Sequence, residues 1–185
     1  MPTLTSRTRS SKKSGRPEIN PDPQQPGSRY PHGPILGIDP GLSATGYGIL
    51  DENSRILAEG VINTWATDSV ADRLLFLNQQ INRLIKKYKP ACCAIETLFF
   101  KGAGARSVIL SAQSRGAILT ALAKNRIPVY ELTPATIKLA VTGSGRASKR
   151  QLNYMIRKLL RTDGRLAEHA ADALAVAWCL KSRYR

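Results

Sequence analysis

Apolar and polar positions fall into two kinds of pattern along this chain. Short runs of four to nine residues alternate or stay apolar throughout, and longer stretches repeat an apolar residue every three or four positions. Ile35 to Asp39, Thr45 to Leu50 and Arg55 to Asn63 read as three successive strands, with turn residues at Gly41–Ser43 and Asp51–Ser54. From Thr67 or Asp68, either of which can cap, a helix is expected through Lys87, with Leu74, Leu77, Ile81, Leu84 and Ile85 on one face. Pro90 ends it. Ala91 to Ile95 is an all-apolar strand suited to the middle of a sheet covered on both faces. Ala105 to Lys124 reads as helix, Val129 to Leu132 as strand, and Thr133-Pro134 as the cap and first residue of a short helix. Ser148 to Leu160 and Glu168 to Lys181 supply two more helices. A meander of three strands followed by alternating helix and strand predicts an α/β fold with a mixed five-stranded sheet flanked by helices.

Residues 1–34 break from this pattern. They hold seven of the eleven prolines, a basic run from Arg7 to Arg16 and almost no apolar residues. Such a segment buries too little surface to offset its ordering entropy, so a disordered basic tail is expected before a domain spanning 35–185. Its Ser- and Arg-rich, acid-poor composition also fits an organellar import signal, an alternative to a cytoplasmic, nucleoid-associated protein. No apolar run approaches the roughly 18 residues a membrane span needs. Cys92, Cys93 and Cys179 lie inside apolar segments without a CxxC pair, as expected of buried thiols in a reducing compartment.

Charge narrows the function. Lys and Arg total 28 against 13 Asp and Glu, a net +15 with pI ≈ 10.2. A balance so basic points to nucleic acid. From Lys138 to Arg165 there are eight basic residues, among them Arg146, Lys149 and Arg150, against Asp163 alone.

Three carboxylates stand out because their settings are apolar. Asp39 ends the first strand, Glu96 follows ACCAI, and Asp172 interrupts HAADALAVAW. A lone buried carboxylate is costly, and several together repel unless a cation sits between them. His169, three residues before Asp172, projects from the same helix face. Hard oxygen ligands at a sheet edge suit Mg²⁺, with Mn²⁺ able to substitute, and two such ions per subunit serve phosphodiester hydrolysis.

The blocks GIDPGLSATGYGIL, AIETLFFK, AQSRGAI, TPATIKLAVTGSGRASKRQL and HAADALAVA, in that order, closely resemble the RuvC Holliday-junction resolvases from Ile35 to Leu180. The resemblance implies an RNase H-like fold, a homodimer, Mg²⁺-dependent symmetric nicking of four-way DNA junctions, and work beside the RuvA and RuvB branch-migration complex. By position it makes Asp39, Glu96 and Asp172 the acids of the metal site. His169 stands where many members carry Asp, with Glu168 its competitor. It also implies that Lys138 and Lys149 hold the scissile phosphate and that Phe99 stacks on bases. KGAGARSVILSAQ departs from the family pattern after that aromatic. The alternatives are an RNase H-like nuclease of YqgF type acting on other nucleic acids, and a DNA-binding module without catalysis. A sugar-kinase or actin-like ATPase is disfavoured, since no second turn of the D-x-G kind appears.

Overall fold

The computed structural model describes residues 32–97, 104–162 and 166–183. Strands β1 (Ile35–Asp39), β2 (Ala44–Leu50), β3 (Ile56–Asn63), β4 (Cys92–Glu96) and β5 (Val129–Leu132) form one sheet in the order β3-β2-β1-β4-β5. The first three run as an antiparallel meander, and β4 and β5 lie parallel to β1. The helices are α1 (Val70–Tyr88), α2 (Ala105–Lys124), α3 (Pro134–Thr142), α4 (Lys149–Leu159) and α5 (Glu168–Ser182).

The period-two alternation of the central strands decides which helices cover which face. Leu36, Ile38, Ile49, Cys93 and Ile95 face α1 and α2, where they meet Leu77, Ile81, Ile118 and Leu122. Ile35, Leu50, Cys92 and Ala94 face the other way, into a core built with α3, α4 and above all α5. Asp39 and Glu96 share the parity of this second set. They therefore project from neighbouring parallel strands toward α5.

That helix sits unusually close to the sheet. Gly37, Gly46 and Gly48 lie beneath it, against Ala173 and Ala177, the His169 backbone and Leu174 respectively. A Cβ at Gly37 would lie 2.1 Å from the Ala173 carbonyl, and one at Gly46 would lie 1.9 Å from that of His169. No side chain fits at either position, so these glycines set how deep α5 can lie. What they bring close to Asp39 is the backbone of α5.

Helix α1 starts two residues later than Thr67 and one later than Asp68 would allow. Ser69 is the cap, its hydroxyl accepting from the Asp72 amide at 3.1 Å. Three consecutive polar residues can each cap, and the winner is the one whose third successor, Asp72, also answers the serine hydroxyl, at 2.6 Å. At its other end α1 closes on Lys89 in the left-handed conformation, φ 48°. Thr133 caps α3 as expected, and Ser148, read as the start of the next helix, is instead its cap, in a reciprocal capping box with Gln151.

Candidate metal centre and nucleic-acid interface

The carboxyl ends of β1 and β4 and the first turns of α5 meet in a cleft of about 360 Å³ lined by Asp39, Glu96, Lys138, Lys149, His169 and Asp172, with Pro134, Ile137 and Leu152 as its apolar wall. The His169 Nδ1 lies 2.8 Å from Asp39 Oδ2. Asp39, His169 and Asp172 each offer one ligand atom, all within 4.8 Å of one another. The Asp172 side chain is only 13% exposed. Its Oδ2 pairs with Lys149 Nζ at 3.0 Å, while its buried Oδ1 has no hydrogen-bond partner among the described residues. A buried carboxylate oxygen without a donor is expensive, and a cation would satisfy it.

Glu96 completes the cleft. Burial, then the charges of Asp39 and Asp172, push its carboxyl up to about 7, against the weaker pull of Lys149 and Lys138. Burial likewise raises Asp172, although its bond to Lys149 opposes the shift. The donor set is therefore three carboxylates and one imidazole, in which burial favours the neutral forms of Glu96 and Asp172 and a bound cation would favour their ionised forms. These residues fit a hard divalent ion.

Glu168 takes a different place. Its exposed carboxylate bonds Lys149 Nζ at 2.5 Å, which lowers its pKa, and it stands outside the group of converging ligand atoms. Lys149 spans Glu168 and Asp172. Burial disfavours its charge, but the two acidic partners outweigh that and hold it firmly protonated. Lys138 lines the cleft from α3. Arg146 and Arg150 lie outside the cleft in an adjoining groove, and Phe99 falls outside the described residues.

Two arginines that the sequence reading gave no role support the site from behind. Arg115 of α2 donates from Nη1 to the Glu96 carbonyl at 2.9 Å, and its Nη2 pairs with Glu131 at 2.6 Å. Arg73 of α1 is buried and donates to Thr64 Oγ1 at 2.9 Å and to Ser43 Oγ at 3.1 Å. Thr64 in turn donates to the Leu42 carbonyl, and Thr45 closes on the Gly41 carbonyl. The loop after Asp39 is thus tied down on both sides. The signal for Arg115 was present, since a lone arginine among small and apolar residues in AQSRGAI falls on the buried face of a helix.

This sheet order, with acids at the ends of the first and fourth strands and on the last helix, defines an RNase H-like nuclease. The family model described as crossover junction endodeoxyribonuclease RuvC matches residues 35–180. RuvC of Thermosipho melanesiensis is 41% identical over 150 residues, spanning 79% of this chain and 95% of that protein. RuvC of Treponema pallidum is 40% identical over 168 residues, 86% of this chain and 85% of that one. The chain belongs to the RuvC family. Among solved structures, T. thermophilus RuvC in complex with a Holliday junction substrate superposes with TM-score 0.75 at 27% identity, covering 80% of this chain and 92% of that one. The yeast mitochondrial resolvase Ydc2, at 18% identity and TM-score 0.61 over 85% of this chain and 84% of its own, shares the fold.

Proposed function

We propose that this chain is a crossover junction endodeoxyribonuclease that resolves four-way DNA junctions by paired nicks, with Asp39, Glu96, His169 and Asp172 as its metal ligands. The observation that carries the reading is the convergence of these side chains in one cleft of a strongly basic protein. Two Mg²⁺ ions, or Mn²⁺ in their place, would be held there, supplying activation of a water and stabilisation of the leaving oxygen. Asp39, Glu96 and Asp172 would hold such ions through their carboxylates and His169 through a ring nitrogen, with the His169 side chain oriented against Asp39. Lys138 and Lys149 stand at the cleft wall, where their ammonium groups can hold the scissile phosphate in line with the site. Phe99 is proposed to stack on junction bases.

Paired nicks require two sites, and we assign the second to another copy of the chain. The outer face of α2 is the proposed contact, led by Ile109, which is 57% exposed, with Ala112 beside it. Val108 is only half-buried and can flank them. Ile118 is fully buried in its own core and Leu119 packs against that core, so neither is available to a partner. The period of a surface helix turns those two positions inward. Family membership supports action in the bacterial cytoplasm on nucleoid DNA, alongside RuvA and RuvB.

The test is cleavage of a synthetic four-way junction beside a linear duplex of the same sequence, with Mg²⁺ or with EDTA. Symmetric, Mg²⁺-dependent nicks confined to the junction are expected. Equal cutting of the duplex would favour a nuclease of other substrate class, and binding without any cutting a non-catalytic module.

A further inference from the structure

Beside the catalytic cleft lies a second, larger groove of about 570 Å³, between the loop after α3 and the outer face of α4. Arg146 and Arg150 line it together with Tyr154, Met155, Thr142 and Ser144, and no carboxylate among the described residues does. Tyr154 is 60% exposed and lines the groove, which leaves part of its ring open to a ligand. Arg150, Tyr154 and Lys158 are spaced four residues apart on α4, so they form one line along about 12 Å of helix. The Lys158 ammonium stands 5.8 Å from the Tyr154 ring centroid.

The groove and the cleft share a wall. Lys149 opens α4 and faces Asp172, and Arg150 follows it about 100° around the helix. Gly145, in the loop, lies against Ala135, the neighbour of the cleft residue Pro134. Whatever strand passes Lys149 meets Arg150 next.

We infer that this groove takes an unpaired nucleotide of the DNA strand leaving the catalytic cleft, with phosphates on Arg146 and Arg150 and the base stacked on Tyr154. The inference rests on the junction-nuclease reading above. Two features choose this occupant: its cationic rim matches a polyanion, and an exposed ring offers a face that a base inside a duplex stack does not need. Met155 gives the base an apolar, polarisable floor.

Binding of labelled oligothymidylate, of a four-way junction and of a linear duplex, each in EDTA over a salt series, tests this. Tyr154→Ala, at an exposed position that folding does not depend on, is expected to weaken oligothymidylate and junction binding about tenfold, with its salt slope unchanged and duplex affinity much less affected. Tyr154→Phe should keep wild-type affinity within about twofold. Arg150→Ala should instead lower the salt slope by about 1. If Tyr154→Ala binds oligothymidylate as the wild type does, while the wild type still nicks junctions, the groove assignment is wrong and the enzymatic reading stands. An equal loss on duplex and oligothymidylate also overturns it, because the ring would then read no unstacked base. A wild type that neither binds nor nicks junctions removes both.

Discussion

His169 Nδ1 sits 2.8 Å from Asp39 Oδ2 across 130 residues of chain. One group ends the first strand and the other lies in the first turn of the last helix, so the contact joins the two ends of the fold at the candidate site. It also separates His169 from Glu168, whose carboxylate is engaged with Lys149.

The first prediction follows from that separation. Asp39→Asn and His169→Ala should each cut junction cleavage more than about 100-fold, beyond what changes behind the ligands usually cost. Junction affinity should hold in Asp39→Asn, since a negative charge near phosphate is removed. His169→Asp should recover much of the rate, because a carboxylate suits a hard ion equally well. Glu168→Ala should lose less than about tenfold. Single-turnover cleavage at saturating enzyme checks the order, and an inactive Glu168→Ala beside a normal His169→Ala would reverse the assignment.

Glu96 makes stability depend on pH when no metal is bound. An unfolded glutamate titrates near about 4.3, whereas in the fold its carboxyl is pushed up to about 7. Between those values the folded state binds more protons than the unfolded one, so stability falls as pH rises and levels off above the folded value. The loss at pH 8 is on the order of 3–4 kcal/mol for this one group. In EDTA, Glu96→Gln should therefore melt higher than wild type at pH 8, with the gap closing by pH 5. Mg²⁺ should raise the wild-type Tm at pH 8 and the variant's much less. Parallel melting profiles in EDTA would place the Glu96 carboxyl outside the crowded cleft.

Arg115 is expected to act through Glu96. Arg115→Met removes the donor to the Glu96 carbonyl and the cation beside Glu131, and it should cost about 2–3 kcal/mol. The Mg²⁺ concentration giving half-maximal cleavage should also rise about 10- to 100-fold, the usual penalty for disturbing a ligand's support. Adding Glu131→Gln should recover part of the stability and none of the Mg²⁺ dependence. A purely structural arginine would move the two together.

The elements were largely legible because their signals are local. The bounds of β1, α2 and β5 follow from strand parity, helix period and flanking Pro and Gly, and the acids of the site declared themselves by being charged where neighbours are apolar. What the sequence hid depends on tertiary meetings. The cap of α1 turned on the answering Asp72 side chain. The pairing of Lys149 with Glu168 and Asp172 joins α4 to α5, and Arg115 reaches from α2 to β4. Gly37 and Gly46 lie under the backbone of α5, a visitor that the strand pattern does not name.

That visitor sets the last prediction. A methyl group at residue 46 would collide with the His169 carbonyl at 1.9 Å, with backbone on both sides and nothing flexible to yield. Gly46→Ala must lift the start of α5 by more than 1 Å, taking His169 and Asp172 away from Asp39 without substituting any proposed ligand. A displacement of about 1 Å in reacting groups can cost about 100-fold in rate, so cleavage should collapse and Tm should fall. Gly116→Ala is the control: its added methyl meets nothing within 4 Å, and loss of a helical glycine should stabilise by about 0.5–1 kcal/mol. Mg²⁺ should protect the wild type and Gly116→Ala against thermal melting but fail to protect Gly46→Ala. If Gly46→Ala keeps both its rate and its Mg²⁺-dependent Tm rise, the depth of α5 is not what assembles the site.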